Sequence, residues 1–358
     1  MNKKAVNACI LVVAIFASLL CAEVAVRIFF PQPYDNFFSF SSQEWPAGFN
    51  DWFQNARPRP KISFTLIPGT TTKFSVSNRV NNYGCLDINR KIEKNTNTFR
   101  VLVLGDSVTT EGYPPYPYLL EELLNKEGSY VYEVWNCAFP TYNTFQEKEF
   151  FKNKGLTFMP DMVLIGFCLN DFDPGYIALK QNGNTYLWQT SDNLWLQINP
   201  IMFEHSHLYR FIISRIITYK ANAILAKKIV KHKPEKYYRN LSKLEYDMVY
   251  NSLEEIKNYA AEKGIPLFII IFPYLKDISS YSPHDRDSYS AIVEIATKLN
   301  IPYLELIPYF EKNGEWFDFR YRERSWDDIH MNNKGHRLIT EAILTFLLQS
   351  GLKDKNNF

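Results

Sequence analysis

The chain opens on a basic tip followed by a long apolar run. Lys3 and Lys4 precede Ala5–Ala22, in which only Asn7 and Ser18 are polar. As a helix this run reaches about 27 Å, close to the thickness of one hydrocarbon core. Glu23 and Arg27 follow four residues apart, so one helical face turns polar at the far end. Lysines ahead of the span predict a cytoplasmic N-terminus and an exported body. A cleaved signal peptide shares the pattern. However, no small-x-small site precedes Glu23, and the bulky Leu20 before Cys21 makes a poor lipoprotein site. Residues 1–29 are therefore expected to be a retained membrane anchor, with a signal segment as the rival.

Residues 30–98 carry no sustained period. They are rich in Pro, Asn, Ser and aromatics, and Pro58, Pro60 and Pro68 argue against long helices. They read as an irregular extension with a few short strands, spacing the body from the membrane. From Phe99 the pattern changes to alternating apolar runs and amphipathic stretches. Strands are predicted at 99–104, 130–136, 161–168, 266–272 and 301–307, and helices at 118–126, 144–154, 245–263, 288–299 and 334–348. Strand–helix alternation implies an α/β fold, with a parallel sheet covered on both faces and ligands bound at the carboxyl ends of its strands. The body spans 99–350.

Within it, residues 172–244 break the alternation as an insertion. Gly183 and Asn184 offer a hairpin turn. Leu208–Lys231 reads as a basic amphipathic helix carrying Phe211, Ile212, Ile216, Ile217, Ile224 and Leu225. Its apolar face either caps the body or lies on the membrane, and burial against the body is the simpler expectation.

Composition changes this picture little. Hydrophobic residues make up 46% and charged residues 22%, enough apolar content for a sizeable core. A formal net charge of +2 gives no basic field of the kind nucleic-acid binding needs. Of five cysteines, Cys9 and Cys21 lie in the apolar run. Cys85, Cys137 and Cys168 have no CxxC or metal spacing, and one bridge among these three remains open.

Three polar groups fall at or beyond predicted strand ends. Gly105-Asp106-Ser107-Val108 places a serine where a strand turns into a helix, whose first N–H groups favour an oxyanion. The same motif serves equally as a helix cap. Asn170-Asp171 follows the third strand. An Asn there can donate to developing charge or simply shape a turn. Asp327-Asp328-Ile329-His330 spaces a carboxylate three residues before an imidazole, so Asp327 can fix the ring's tautomer and support its positive charge. Asp328 lacks that spacing and reads as a capping or solvated residue. His336 reads as surface or packing, and Cys168 as a buried packing residue.

Taken together and in order, these pieces resemble the SGNH/GDSL hydrolase family. Residues 99–107 look like its first block, Asn136-Cys137-Ala138-Phe139-Pro140-Thr141-Tyr142-Asn143-Thr144 its second, Gly166–Asp171 its third, and Asp327–His330 with Gly335-His336 its last. The upstream Asn81-Asn82-Tyr83-Gly84 resembles the bacterial membrane-anchored group of that family. The resemblance implies a three-layer sandwich with a flavodoxin-like parallel sheet. It also implies Ser107 as nucleophile, His330 as base and Asp327 as its orienting carboxylate. The oxyanion hole would comprise the Ser107 N–H, the Asn170 side chain and the N–H of Thr141. No metal or nucleotide cofactor is implied. Thr141 departs from the pattern, because its position usually holds glycine, and Thr does not readily adopt a left-handed conformation.

The expected activity is hydrolysis or transfer of an acyl group through an acyl-serine intermediate. An exported site beside a membrane favours an O-acetylated envelope glycan as substrate. A lipid esterase or thioesterase is the enzymatic alternative. An inactive glycan-binding protein on the same fold is the non-enzymatic one, and Thr141 is its best support.

Overall fold

The computed structural model describes residues 3–32, 56–59, 63–66, 68–69, 77, 79–112, 114–127, 130–173, 176–181, 184–189, 202, 205–216, 239–321 and 327–352. Its centre is a parallel sheet of β1 (Thr98–Gly105), β2 (Val131–Asn136), β3 (Met162–Cys168), β4 (Leu267–Phe272) and β5 (Tyr303–Glu305). The strand order is β2-β1-β3-β4-β5, with every pairing parallel. This is the flavodoxin-like order, whose switch point falls between β1 and β3. Every position of β1, β3 and β4 is buried, which is why these strands read as apolar runs rather than as alternation, broken in β1 only by Thr98 and the ion-paired Arg100.

Beside a helix over 207–216, the described α-helices are α1 (Lys3–Phe29), α2 (Ser107–Thr110), α3 (Tyr116–Glu127), α4 (Thr144–Asn153), α5 (Lys243–Ala261), α6 (Pro283–Lys298), α7 (Ile307–Asn313) and α8 (Asn333–Gln349). The pair α3 and α8 packs together, as does the pair α4 and α5. Several helices begin earlier than hydrophobic periodicity predicts, because their first turns are polar. The α6 start lies at Pro283 rather than Ser288, with Ser282 as N-cap, Asp285 completing a capping box and proline in the first turn. The α5 start is set likewise by Ser242 and Glu245. The last strand is shorter than the predicted 301–307. Ile307 already opens α7, where Pro308 suits the first helical turn.

The chain divides into two compact units, Lys61–Tyr176 with His232–Phe358, and Met1–Pro60 with Ile177–Lys231. The first carries the sheet, and it starts well before Phe99. Residues 81–97 are built into this unit instead of spacing it from anything, because buried charges bind them to the sheet. Arg90 bridges Asp87 at 2.8 Å and Glu121 at 2.7 Å and donates to the Val134 carbonyl. Arg100, fully buried in β1, pairs with Glu133 at 2.8 Å, stacks over Trp135 and donates to the carbonyls of Lys91 and Ile92. Lys94 reaches Asp161 at 2.8 Å. A disulfide joins Cys85 to Cys137 just past β2, leaving Cys168 free and buried.

The second unit is organised around the end of α1. Ala5–Phe29 is long and apolar enough to cross a membrane, and Ile10, Val12, Val13, Phe16 and Leu20 are exposed along it. Beyond its apolar stretch, Glu23 accepts the N–H groups of His207 at 2.9 Å and Leu208 at 2.8 Å, and the Ser206 hydroxyl at 2.7 Å. It thereby caps a helix running over 207–216. Arg27 donates to the His205 carbonyl, Arg210 donates to the Gln32 carbonyl, and Phe30 packs on Phe211. The first turn of the predicted amphipathic helix is thus stapled to α1, while 217–231 lie outside the described residues. Strands Tyr176–Gln181 and Asn184–Gln189 pair with each other, as the intervening turn predicts.

The disulfide closes a loop of 52 residues, and Cys137→Ser is expected to cost about 2–4 kcal/mol of stability. Urea unfolding should show the same loss when reductant is added to the wild type, and no reductant effect on the variant.

Candidate active site

The serine turn sits at the carboxyl end of β1. Gly105 has φ +153°, which only glycine adopts readily, and a side chain there would run into the Thr109 hydroxyl. Asp106 caps α2, its carboxylate accepting the Val108 N–H at 2.9 Å. Ser107 is therefore the first residue of a helix, half-buried, with its hydroxyl turned toward the last loop of the body. That loop is held by Arg320, which bridges to Met331 and donates to the Leu275 carbonyl, and by Leu275, whose N–H meets the Asp328 carbonyl. Asn332 then caps α8 and donates to the carbonyls of Asp318 and Arg320.

The result is a continuous polar chain. Ser107 Oγ lies 2.8 Å from His330 Nε2. His330 Nδ1 lies 2.8 Å from Asp327 Oδ2 and 3.0 Å from Oδ1. With Nδ1–H donating to the carboxylate, Nε2 is left to accept the serine proton. Asp327 Oδ1 also accepts the N–H groups of Ile329 and His330 at 3.1 Å. Burial alone would raise the Asp327 carboxyl, but the His330 ring and these N–H groups hold it below its usual range. Burial likewise pulls His330 down, yet the Asp327 bond and the charges of Glu111, Asp327 and Asp106 leave its pKa raised above 6.5. Glu111 was not evident from the sequence. It ends α2, and its carboxylate lies 3.8 Å from His330 Nε2. Only its spacing of four from Ser107 hinted at it.

The oxyanion candidates come from three elements. The Ser107 N–H belongs to the first turn of α2. Asn170 follows β3, and its amide donates to Asp106 Oδ2 at 2.9 Å, so one of its two N–H bonds is spent on the serine turn. Thr141 follows β2 in a loop whose Phe139 N–H meets the Gly105 carbonyl at 2.9 Å. Thr141 does take the left-handed conformation, at φ +68°, and its hydroxyl is buried with no hydrogen-bond partner. A β-branched residue in that region costs about 1–3 kcal/mol.

The remaining expectations resolve simply. Asp328 pairs with Lys276 at 2.8 Å. His336 is fully buried and structural. Its Nε2 donates to the Glu111 carbonyl, its Nδ1 accepts the Tyr116 N–H, and burial lowers its pKa to about 4. Burial pushes the Cys168 thiol far up, which suits packing rather than nucleophilic attack. Among the described residues no group of three His, Cys, Asp or Glu side chains could hold a metal ion.

The family follows from comparison of the whole body. A model of the GDSL-like lipase/acylhydrolase family matches residues 103–338. The chain belongs to this family. The chain is similar to a lipase/acylhydrolase from Enterococcus faecalis at 15% identity (TM-score 0.42, covering 69% of this chain and 94% of that one). It is similar also to Axe2, an acetylxylan esterase from Geobacillus stearothermophilus, at 14% identity (TM-score 0.42, covering 70% and 94%). A putative acylhydrolase from Bacteroides fragilis is similar at 12% identity (TM-score 0.36, covering 73% and 90%). No curated protein matches the chain.

Behind the serine turn of this hydrolase lie buried acids that the sequence did not mark. Glu147 on α4 is buried with both carboxyl oxygens unpartnered, and Asp171 Oδ1 is also without a partner. Burial, and then the neighbouring Asp106 charge, push Glu147 well above 4.5. The native protein therefore keeps a proton that the unfolded chain releases, and stability falls as pH rises from about 4.5 toward the folded value. Glu147→Gln is expected to be more stable than the wild type near about pH 8 and equal to it near about pH 4. Urea melts at both pH values check this, and an unchanged difference between them refutes it.

Proposed function

We propose that this SGNH ester hydrolase works through an acyl-Ser107 intermediate on O-acyl groups of an envelope glycan. The observation that carries the mechanism is the chain from Ser107 Oγ through His330 to Asp327, each link at 2.8 Å. His330 Nε2 takes the Ser107 proton as Oγ attacks the acyl carbonyl, and the oxyanion forms against the Ser107 N–H, the free Asn170 N–H and the Thr141 N–H. The tetrahedral species expels its alkoxide, which leaves with the proton from His330. A water or sugar hydroxyl then gives its proton to His330 and attacks the acyl-serine, and the acyl group departs on that oxygen while Ser107 regains its proton. Asp327 holds the ring throughout, and Glu111 adds negative potential beside the imidazolium.

Location supports the substrate class. The disulfide suits an oxidising compartment, and the exposed apolar face of α1 suits a bilayer. Both agree with a body anchored on the exported side of a membrane, where acylated glycans are within reach.

Ser107→Ala should abolish hydrolysis of small acyl esters and labelling by a fluorophosphonate. Unchanged activity in that variant would end the proposal. Acyl-chain preference separates substrates, with two-carbon groups indicating glycan deacetylation and long chains indicating lipid. Because neutral His330 is the base, kcat/KM should rise with pH through an apparent pKa above 6.5. Asp327→Asn should lower both that pKa and the rate, the latter by roughly 10³–10⁴-fold. A pH–rate profile of the two proteins checks the pairing.

A further inference from the structure

Beside the base stands an acid that the triad does not use. Glu111 closes α2, the helix that begins at Ser107, with its N–H on the Ser107 carbonyl at 2.7 Å. Its own carbonyl accepts Nε2–H of the buried His336, whose Nδ1 in turn accepts the Tyr116 N–H. Gly112 follows at φ +156°, where a side chain would run into the His336 ring. The Glu111 backbone is thus fixed on both sides, and its carboxylate is held 3.8 Å from His330 Nε2. That separation is too long for a hydrogen bond. It suits one bridging oxygen, which can lie about 2.8 Å from both atoms. Solvent reaches the pair, since the His330 side chain is 17% exposed and that of Glu111 9%. A carboxylate only accepts, and with about four acceptor positions it has room for a water beside its other bonds. With Nδ1–H given to Asp327, neutral Nε2 is an acceptor too. Two acceptors therefore converge where the second nucleophile must give up its proton.

We propose that Glu111 makes water the acceptor of the acyl group, by holding one proton of the water whose other proton passes to His330 Nε2. The proposal rests on the acyl-Ser107 reading above and decides between the water and the sugar hydroxyl that it admits. Water has two O–H bonds and satisfies both acceptors at once. As its oxygen bonds the acyl carbon, one proton moves to Nε2 and the other stays hydrogen-bonded to Glu111. When the bond from that carbon to Ser107 Oγ breaks, the serine takes its proton back from Nε2. The carboxylic acid leaves with the remaining water proton and loses it to solvent. A simple alcohol has a single O–H. If it donates to Nε2, its oxygen lone pairs face the Glu111 carboxylate. A charged acceptor then has one partner fewer, in a site where few waters can replace it. The alcohol is rejected for the donor it lacks.

Turnover of a two-carbon ester by the full-length protein in water–methanol mixtures tests it. Acetate and methyl acetate come from one acyl-enzyme, so their ratio does not depend on how much protein is folded. Glu111→Gln keeps the shape and adds a donor that can face the methanol oxygen, while Glu111→Ala removes the group. In both, the ratio of methyl acetate to acetate should rise about tenfold over the wild type. A burst of leaving group followed by a stall places the loss at the same step and also supports the proposal. A wild-type ratio in either variant overturns it. So does loss of the burst in both, because the side chain would then serve acylation or folding; loss in one leaves the other to decide. Ser107→Ala is run alongside. If it still forms either product, the acyl-serine reading itself fails. If it forms neither while the Glu111 variants partition as the wild type does, only the role of Glu111 is lost.

Discussion

Much of the site depends on one buried carboxylate, that of Asp106. Its oxygens accept the Val108 N–H in the first turn of α2 and the side-chain amide of Asn170. The first bond starts a helix of a single turn, too short to be stable alone, and so aims Ser107. The second ties the end of β1 to the loop after β3 across the switch point of the sheet. Burial pushes the Asp106 carboxyl up, and the bonds from Asn170 and Val108 oppose that rise. An acid in this position both orients two groups and contributes to the field around His330.

The parallel sheet explains why distant pieces of chain converge there. In a β2-β1-β3-β4-β5 sheet every connection returns across a face, so the loops that leave the carboxyl ends gather on one side. Ser107, Thr141 and Asn170 leave β1, β2 and β3, and the loop bearing His330 is hung beside them by Arg320 and Leu275. The segment before β1 stiffens this edge. Arg90, Arg100 and the Cys85–Cys137 bridge fasten it beneath the loop that carries Thr141, so a strained turn is held where an isolated peptide would relax.

Legibility in the sequence followed physical range. Strands β1, β3 and β4 were clear because burial on both faces leaves mostly apolar side chains, the ion-paired Arg100 of β1 excepted. The edge strand β5 was overextended, since Ile307 serves a following helix as readily as a strand. Helix starts were read late because capping turns such as Ser282–Asp285 carry no apolar residues. The segment 81–97 looked irregular because its order comes from guanidinium groups bonding carbonyls far along the chain, which no local period records. Glu147 gave no signal either, since an acid on an amphipathic helix normally faces water.

By itself the sequence determined the apolar span at the N-terminus, the α/β alternation, the family, and the residue types that could perform acyl chemistry. These are local properties, written in periodicity and in short motifs whose spacing a single turn can satisfy. The tertiary structure alone decided that Ser107 and His330, 223 positions apart, meet at 2.8 Å. It also decided that Cys137 pairs with Cys85, that Glu23 caps a helix near residue 207, and that Thr141 is held left-handed with an idle hydroxyl. Each depends on contacts between groups remote in the chain, whose energies exist only once the sheet has brought them together.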